Sequence, residues 1–286
     1  MSKKPVQGTL HLNFTCDTIM QRTRMQVLEQ SPPLKVIRAF PLSTGGALVH
    51  LHNISGGILG GDQLELKVEV EAGAYAQLTS TSATRLYRTH PDASPSQQKT
   101  SIQVATNGLL EYVPDPLIPF AGSRYQQQTL IQLEQGAGLF WWETIAPGRT
   151  ARGEVFDYDL LQISSRISAA NRPIAIEQIK LQPQQKNLSS LARLGPYTYF
   201  CSFYICKVGL DGSQWLQLEH ELNNMAQQLT IANEMLWGVS TLTAHGLVVR
   251  GLSKRGTAIP AGLFTFWHLA TQALYGRDAI PPRKIY

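Results

Sequence analysis

Two acidic residues follow a glycine-rich turn, where carboxylates could bind a cation or transfer protons. The turn is Gly56-Gly57-Ile58-Leu59-Gly60-Gly61, and Asp62 and Glu65 come directly after it. Glycine tolerates positive φ and the close approach of another backbone, so four glycines in six positions predict a bend that other residues could not follow cheaply. We expect a structural corner, formed by Gly56, Gly57, Gly60 and Gly61, that places Asp62 at the start of a strand.

A glycine-rich turn can also hold phosphate, but this one lacks the residues that phosphate sites need. A P-loop has Lys and then Ser or Thr after its last glycine, and a dinucleotide fingerprint is followed by a helix. Here Asp62 takes the place of the lysine. Residues 63–70 then alternate between polar and apolar side chains, which is typical of a half-buried strand. The turn therefore does not favour nucleotide binding.

The carboxylates allow a second interpretation, a hydrolase built on coiled β-sheets. Two of Asp62, Glu65, Glu143 and Glu154 would act as general acid and general base. Such an enzyme needs two carboxyl groups roughly 5–10 Å apart in an open groove. Carboxylates placed along a closed interior passage would instead favour conduction of a cation.

Two histidines are a weaker candidate for metal chemistry. His50 and His52 share one face of a predicted strand, because side chains two positions apart point the same way. Zinc-type sites need at least a third protein ligand, and the local sequence offers none. A solvated strand face is the stronger interpretation of this pair.

The elements that position these residues are mainly strands. A strand, a short turn and another strand recur, with turns at Ala72-Gly73, Asn107-Gly108, Gln135-Gly136 and residues 171–173. Loosely periodic units of this kind predict sheets that coil or stack on themselves with a helical, solenoid-like topology. We expect a mainly β fold that forms one domain over residues 1–286.

Helices are few and occur late in the chain. Residues 188–194 carry apolar side chains at helical spacing and stop at Gly195-Pro196, which predicts a short helix. A longer apolar stripe predicts a helix over residues 216–229. Residues 261–275 predict a C-terminal helix that ends at Gly276.

Composition excludes several classes of function. The net charge of +5 comes from basic residues spread along the whole chain, so neither nucleic acid nor a membrane surface is an indicated partner. Three cysteines without a Cys-x-x-Cys pair predict neither a disulfide framework nor a tight metal site. The chain has no apolar run of signal or membrane-spanning length, and we expect a cytoplasmic protein.

Four motifs in order carry a resemblance to a known family. They are the glycine corner at 56–62, Leu-Thr-Ser-Thr-Ser-Ala-Thr-Arg-Leu-Tyr-Arg at 78–88, Leu-Glu-Tyr-Val-Pro-Asp-Pro at 110–116 and Gly-Arg-Thr-Ala-Arg-Gly-Glu at 148–154. With Pro-Pro-Arg-Lys-Ile-Tyr at the end, the chain resembles the urease accessory protein D family, called H in some organisms. The resemblance covers nearly the whole chain.

The resemblance implies a non-catalytic chaperone of urease maturation. Such a protein joins the urease apoprotein to the accessory protein F and the GTPase G during nickel insertion. It implies no tightly bound cofactor, GTP only on the partner GTPase, and nickel in transit through an internal tunnel. The matching positions imply a nickel path at Asp62, Glu65, Glu143 and Glu177, and partner contacts at Arg85, Tyr87, Arg88 and Arg149.

Overall fold

The computed structural model describes residues 5–17 and 19–282. In chain order, the strands of these residues are β1 (Gln7–Asp17), β2 (Arg22–Gln30), β3 (Leu34–Lys35), β4 (Ala39–Pro41), β5 (Ala47–Asn53), β6 (Gln63–Val70), β7 (Tyr75–Ser80), β8 (Thr84–Leu86), β9 (Ser96–Val104), β10 (Leu109–Tyr112), β11 (Leu117–Pro119), β12 (Arg124–Leu133), β13 (Gly138–Ile145), β14 (Leu160–Ala169), β15 (Arg172–Leu181), β16 (Tyr199–Lys207), β17 (Met235–Thr241) and β18 (Gly246–Ser253). The helices are a 3₁₀ turn (Thr150–Arg152), α1 (Gly212–Leu229) and α2 (Ala258–Tyr275).

The strands form two facing sheets, and the chain passes back and forth between them. The first has the order β15-β14-β12-β9-β6-β1-β2. The second has the order β17-β18-β16-β13-β10-β7-β5-β3, with β4, β8 and β11 attached. Neighbours are parallel from β1 to β14 in the first sheet and from β5 to β13 in the second. The predicted turns at Gly73, Gly108 and Gly136 each carry the chain from the first sheet to the second.

The mainly β fold with a C-terminal helix is confirmed, whereas a solenoid is not. Both sheets are mixed, because β2 and β15 add antiparallel edges to the first sheet and β16, β17 and β18 extend the second one antiparallel. The sheets are also open rather than closed on each other. The periodic turns therefore describe only the parallel centre of the molecule.

Two of the three predicted helices are present. Helix α1 begins at a capping box in which Asp211 and Gln214 satisfy each other's backbone N–H groups, and α2 ends at Gly276 in a left-handed conformation. The prediction of a helix over 188–194 is wrong, since these residues form successive turns. Leu188 is buried but Leu191 is 94% exposed, so the segment lacks a continuous apolar face to pack. No helix in the described ranges is both long and apolar enough to cross a membrane.

Three apolar clusters hold these layers together. One fills one end of the space between the sheets and includes Phe14, Ile131 and Trp141. A second, which includes Phe266, packs α1 and α2 onto the outer face of the second sheet. A third fills the other end of the intersheet space and includes Tyr125. The gap between the first and third clusters is where polar side chains enter the interior.

A buried ion pair attaches the segment after α2 to the second sheet. Glu111 is fully buried, and its carboxylate accepts hydrogen bonds from Tyr75 at 2.7 Å, from Gln77 at 2.7 Å and from Arg277 at 3.2 Å. Gln77 also donates to the carbonyl of Ile280 at 2.8 Å. Burial raises the pKa of Glu111, and Arg277 opposes that shift. The C-terminal segment is therefore held by polar contacts as well as by packing.

Candidate functional site: a polar belt between two sheets

A band of polar side chains crosses the interior between the first and third apolar clusters. Along β12 the inward-facing residues run from Tyr125 in the third cluster through Gln127 and Thr129 to Ile131 in the first. We call this band the polar belt. Its members are Gln98, Thr100, Gln127, Thr129, Ser165 and Glu177 from the first sheet and Tyr112, Glu143, Ser202, Tyr204 and Arg250 from the second.

Register between strands places the belt members side by side. In the first sheet Thr129 pairs with Ser165, which in turn pairs with Glu177. In the second sheet Glu143 pairs with Ser202, which pairs with Arg250. Because directly opposed residues share a face of the sheet, each sheet contributes a continuous polar row.

Glu143 lies in the interior and is bound from the opposite sheet. The amide of Gln127 donates a hydrogen bond to its carboxyl oxygen Oε1. Burial raises the pKa of Glu143 to about 7; the Gln127 hydrogen bond opposes this shift and the nearby charge of Glu177 adds to it. Near neutral pH this carboxyl group can therefore both hold a proton and release it.

Glu177 lies at the surface end of the belt. Its Oε1 accepts hydrogen bonds from Arg250 at 2.8 Å and Ser202 at 3.4 Å, and its Oε2 accepts one from Tyr204 at 2.8 Å. The pKa of Tyr204 is raised by burial first and then by the charge of Glu177, so the phenol stays a donor. Ser202 thus lies between the two carboxylates, next to Glu143 across the strands and within reach of Glu177.

Two adjoining cavities continue from the belt toward the glycine corner. One, of about 40 Å³, is lined by belt residues that include Gln127 and Glu143. The other, of about 120 Å³, is lined by Gly56 and Gly57 and by His52. Both have Thr84, Gln98, Tyr112 and Pro114 in their walls. The pKa of His52 is lowered, mainly by burial and then by His50 and Lys35, which favours a neutral imidazole at this wall.

Asp62 has a structural task at the corner. One carboxylate oxygen accepts the N–H of Val6 at 3.1 Å, and the other accepts that of Leu59 at 2.9 Å. The side chain is buried, with 2% exposure. It thus satisfies two backbone donors that would otherwise lack a partner.

Glu65 and Glu154 lie outside the belt. Glu65 is on the outer face of β6, half exposed and paired with Lys67 at 3.2 Å, whereas Leu64 and Leu66 point inward. Glu154 forms a bidentate pair with Arg149. The expectation that Glu65 lines an interior passage is corrected by its position on the outer face. The hydrolase interpretation loses its support as well, since these carboxylates do not share an open groove with Glu143.

Two different features restrict the glycines of the corner: backbone conformation and close neighbours. Gly56 and Gly61 have φ of +75° and +88°, in the left-handed region that favours glycine. Gly60 has ordinary φ, but a Cβ there would lie 2.7 Å from Cγ2 and 3.0 Å from Cα of Thr89. A Cβ at Gly57 would likewise lie only 2.6 Å from the carbonyl oxygen of Arg85. All four glycines therefore resist substitution.

We expect Gly60→Val and Gly61→Val to destabilise the fold by roughly 2 kcal/mol or more, through overpacking at Gly60 and backbone strain at Gly61. Thermal unfolding followed by circular dichroism measures the effect. Gly212→Ala is a matched control, because a Cβ there meets no atom within 4 Å. Wild-type thermal stability of both valine variants would contradict this description of the corner.

Three of the four residues predicted to contact partners, Arg85, Tyr87 and Arg149, lie around Phe120, and Arg88 lies beside Gly122. Tyr87 packs edge-on against the Phe120 ring, with ring centres 5.2 Å apart, and the Arg149 guanidinium lies 4.2 Å from the centre of the Phe120 ring. Arg85 and Arg88 are exposed. Arg149 forms an ion pair with Glu154, so its charge is largely neutralised within the chain. The two exposed arginines are the side chains available to another molecule.

The interior partners of the two glutamates were not predicted from the sequence. These partners are Gln127, Ser202, Tyr204 and Arg250. Isolated Gln, Ser and Tyr residues inside strands form no motif with a recognisable spacing. Arg250 follows an apolar run that predicts a strand and nothing more. Gln127 lies on the same face of β12 as the buried Ile131 and Leu133. Extending their alternation back toward the start of the strand would therefore have placed Gln127 in the interior.

Comparison with known proteins gives the chain a family. A profile of the UreD urease accessory protein family matches residues 6–285. The chain belongs to this family. It is 48% identical over 281 residues to the urease accessory protein UreD of Herpetosiphon aurantiacus, covering 98% of this chain and 97% of the relative. The UreD protein of Alcanivorax borkumensis is 31% identical over 280 residues, covering 97% and 91%.

Membership of the UreD family supports a role in urease maturation rather than in catalysis. In the described residues no group of three His, Cys, Asp or Glu side chains comes together as a metal site. The polar belt itself holds two carboxylates, Glu143 and Glu177.

Proposed function

We propose that this chain is a non-catalytic urease maturation chaperone that joins the urease apoprotein to the accessory proteins F and G and conducts nickel through its polar belt. Nickel is cargo here, and GTP belongs to the partner GTPase. The observation that carries the conduction proposal is the pair Glu143 and Glu177, which flank Ser202 in the polar belt between two apolar clusters.

The donor set of the belt suits a cation in transit. Carboxylate and hydroxyl oxygens bind nickel less strongly than clusters of thiolates and imidazoles do, so the ion can leave again. Burying a carboxylate without a compensating charge costs free energy, so the binding of a passing dication is favoured. The hydroxyl of Ser165 is buried beside Glu177 without a hydrogen-bond partner among the described residues, and it adds an oxygen to the path.

The two carboxylates divide the path into steps. Glu177 is near the surface, with a side chain 13% exposed, and Glu143 is the next carboxylate inward, across Ser202. Beyond Glu143 the adjoining cavities lead toward His52 and the glycine corner. We propose that nickel moves between these carboxylates. Of the positions expected from the family resemblance, Glu143 and Glu177 remain in this proposal, while Asp62 supports the corner.

The scaffold half of the proposal is tested by co-purification with urease apoprotein and the F and G proteins, followed by activation with nickel and GTP. We expect activation to depend on this chain. We also expect Arg85→Ala combined with Arg88→Ala to reduce co-purification at least several-fold with little change in thermal stability, because both side chains are exposed.

The matched control for that experiment is Arg166→Ala. Arg166 is an exposed arginine on the outer face of β14, away from Phe120, and its loss should leave co-purification unchanged. Full activation of urease without this chain would refute the proposed function. Equal co-purification of all variants would remove Arg85 and Arg88 from the contact surface and leave the conduction proposal standing.

A further inference from the structure

Among the side chains that define the polar belt, Arg250 alone is basic, and it sits on the outermost carboxylate. Its Nη2 donates to Oε1 of Glu177 at 2.8 Å. The Glu177 side chain is 13% exposed and that of Arg250 is 57% exposed, so the ion pair runs from the interior to the surface. Glu177 keeps two other donors, Tyr204 and Ser202. Its orientation therefore does not depend on Arg250.

The surroundings of Arg250 leave it free to turn away. Gly238 is its direct partner on β17, and opposed residues share a face of the sheet. A Cβ at Gly238 would meet no atom within 4 Å, so the space beside the arginine is open. The guanidinium can thus move toward Gly238 and solvent, giving up its contacts with Glu177 and with the Tyr204 side chain.

We infer that Arg250 is a displaceable counter-charge, which neutralises Glu177 when no metal is present and leaves when a divalent transition-metal ion binds. The inference rests on the proposed function, since it assigns Arg250 the control of access to the conducting carboxylates. A carboxylate in this partly buried place needs a cation, but a guanidinium and a dication on the same oxygen repel each other. Arg250 therefore competes with nickel and keeps the first site weak.

The test measures the affinity of the full-length chain for Ni²⁺ by equilibrium dialysis with nickel alone as the probe. Arg250→Met should bind nickel about tenfold more tightly than wild type, because removing a charged hydrogen bond takes away the competitor. Arg250→Lys should stay within about twofold of wild type, because the competing charge remains. Arg24→Met is the matched control, since Arg24 forms an equally short pair with Asp17 far from the belt.

Two further variants test whether the tighter nickel binding of Arg250→Met depends on Glu177 and whether it is a result of misfolding. In a Glu177→Gln background the gain from Arg250→Met should disappear, because the two residues act through one contact. Arg250→Gln keeps a hydrogen-bond donor without the charge and should bind as tightly as Arg250→Met. Thermal unfolding of every variant verifies that the protein is folded.

Unchanged or weaker nickel binding by Arg250→Met and Arg250→Gln would overturn the inference. If Glu177→Gln still weakened binding in that case, the conducting path would stand without a counter-charge. If Glu177→Gln changed nothing either, the path itself would fail at this residue. The failures of the two proposals are therefore distinguishable.

Discussion

Glu143→Gln should make the protein more stable than wild type at pH 8 while leaving its stability at pH 5 nearly unchanged. Burial raises the pKa of Glu143 from 4.5 to about 7 in the folded chain. Glutamine is neutral and nearly the same size, and its amide can still bond to Gln127. The substitution therefore removes the cost of ionising a buried carboxyl group and little else.

The direction of the pH dependence follows from proton linkage. Between pH 4.5 and about 7 the folded wild type holds a proton on Glu143 that the unfolded chain has lost, so its free energy of unfolding falls as the pH rises. The loss is complete above pH 7. It amounts to at most about 3 kcal/mol, because Glu143 lines a cavity and keeps part of its hydration. The negative charge of nearby Glu177 adds to the rise in the pKa of Glu143.

The measurement is the difference in thermal midpoint between Glu143→Gln and wild type from pH 5 to pH 8.5. We expect a difference near zero at pH 5 and an increase of roughly 4–10 °C above pH 7.5. Glu65→Gln is the control, because an exposed pair with Lys67 contributes less than about 1 kcal/mol at any pH. Equal destabilisation of the variant at both ends of this pH range would contradict the prediction. It would show that the Glu143 carboxylate is a structural hydrogen-bond acceptor whose pKa is not raised.

The strands were predicted best where they are apolar and worst where they form the belt. In the sequence, apolar alternation marks only the later parts of two strands, from Ile102 and from Leu130, whereas β9 starts at Ser96 and β12 at Arg124. The missed halves face inward with Gln98 and Gln127. Because a polar side chain on a buried face removes the alternation that predicts a strand, the functional part of each strand is the part that the pattern hides.

A different reason explains why β16 was not predicted. Residues 201–206 are buried almost without a break, because α2 covers one face of the strand and the first sheet faces the other. A strand covered on both faces shows no alternation of apolar and polar residues. The signal that could have found it is its content of aromatic and β-branched residues.

The alternation of β6 was a better guide to Glu65 than the family resemblance was. That pattern placed Glu65 with Gln63 and Lys67, opposite Leu64 and Leu66, and the structure has this arrangement. The resemblance implied an interior path for Glu65 because Glu65, like Asp62, belongs to the glycine-corner motif. Neighbours in a strand point to opposite faces, so closeness in sequence is no guide to a shared passage.

The second large effect concerns nickel delivery. The combined Glu143→Gln and Glu177→Gln variant should assemble with urease and the F and G proteins as wild type does, because the amides keep size and hydrogen bonding. The belt would then lack the two negative charges that compensate a dication in a low-dielectric interior. Nickel transfer should fall about tenfold or more, since each charge contributes at least one charge-assisted contact.

The combined Glu65→Gln and Glu69→Gln variant is the matched control. It removes the same net charge from the outer face of β6, where Glu65 pairs with Lys67 and Glu69 with His11. The two double variants thus differ in where the carboxylates lie, not in how many are lost. Both should be compared only in complexes that contain every partner in wild-type proportion.

The number of nickel ions per urease active site in such assembled complexes, after incubation with nickel and GTP, tests the central claim most directly. We expect the Glu65 and Glu69 variant to load urease as wild type does and the Glu143 and Glu177 variant to leave most sites empty. Full loading by the Glu143 and Glu177 variant would contradict conduction through the polar belt.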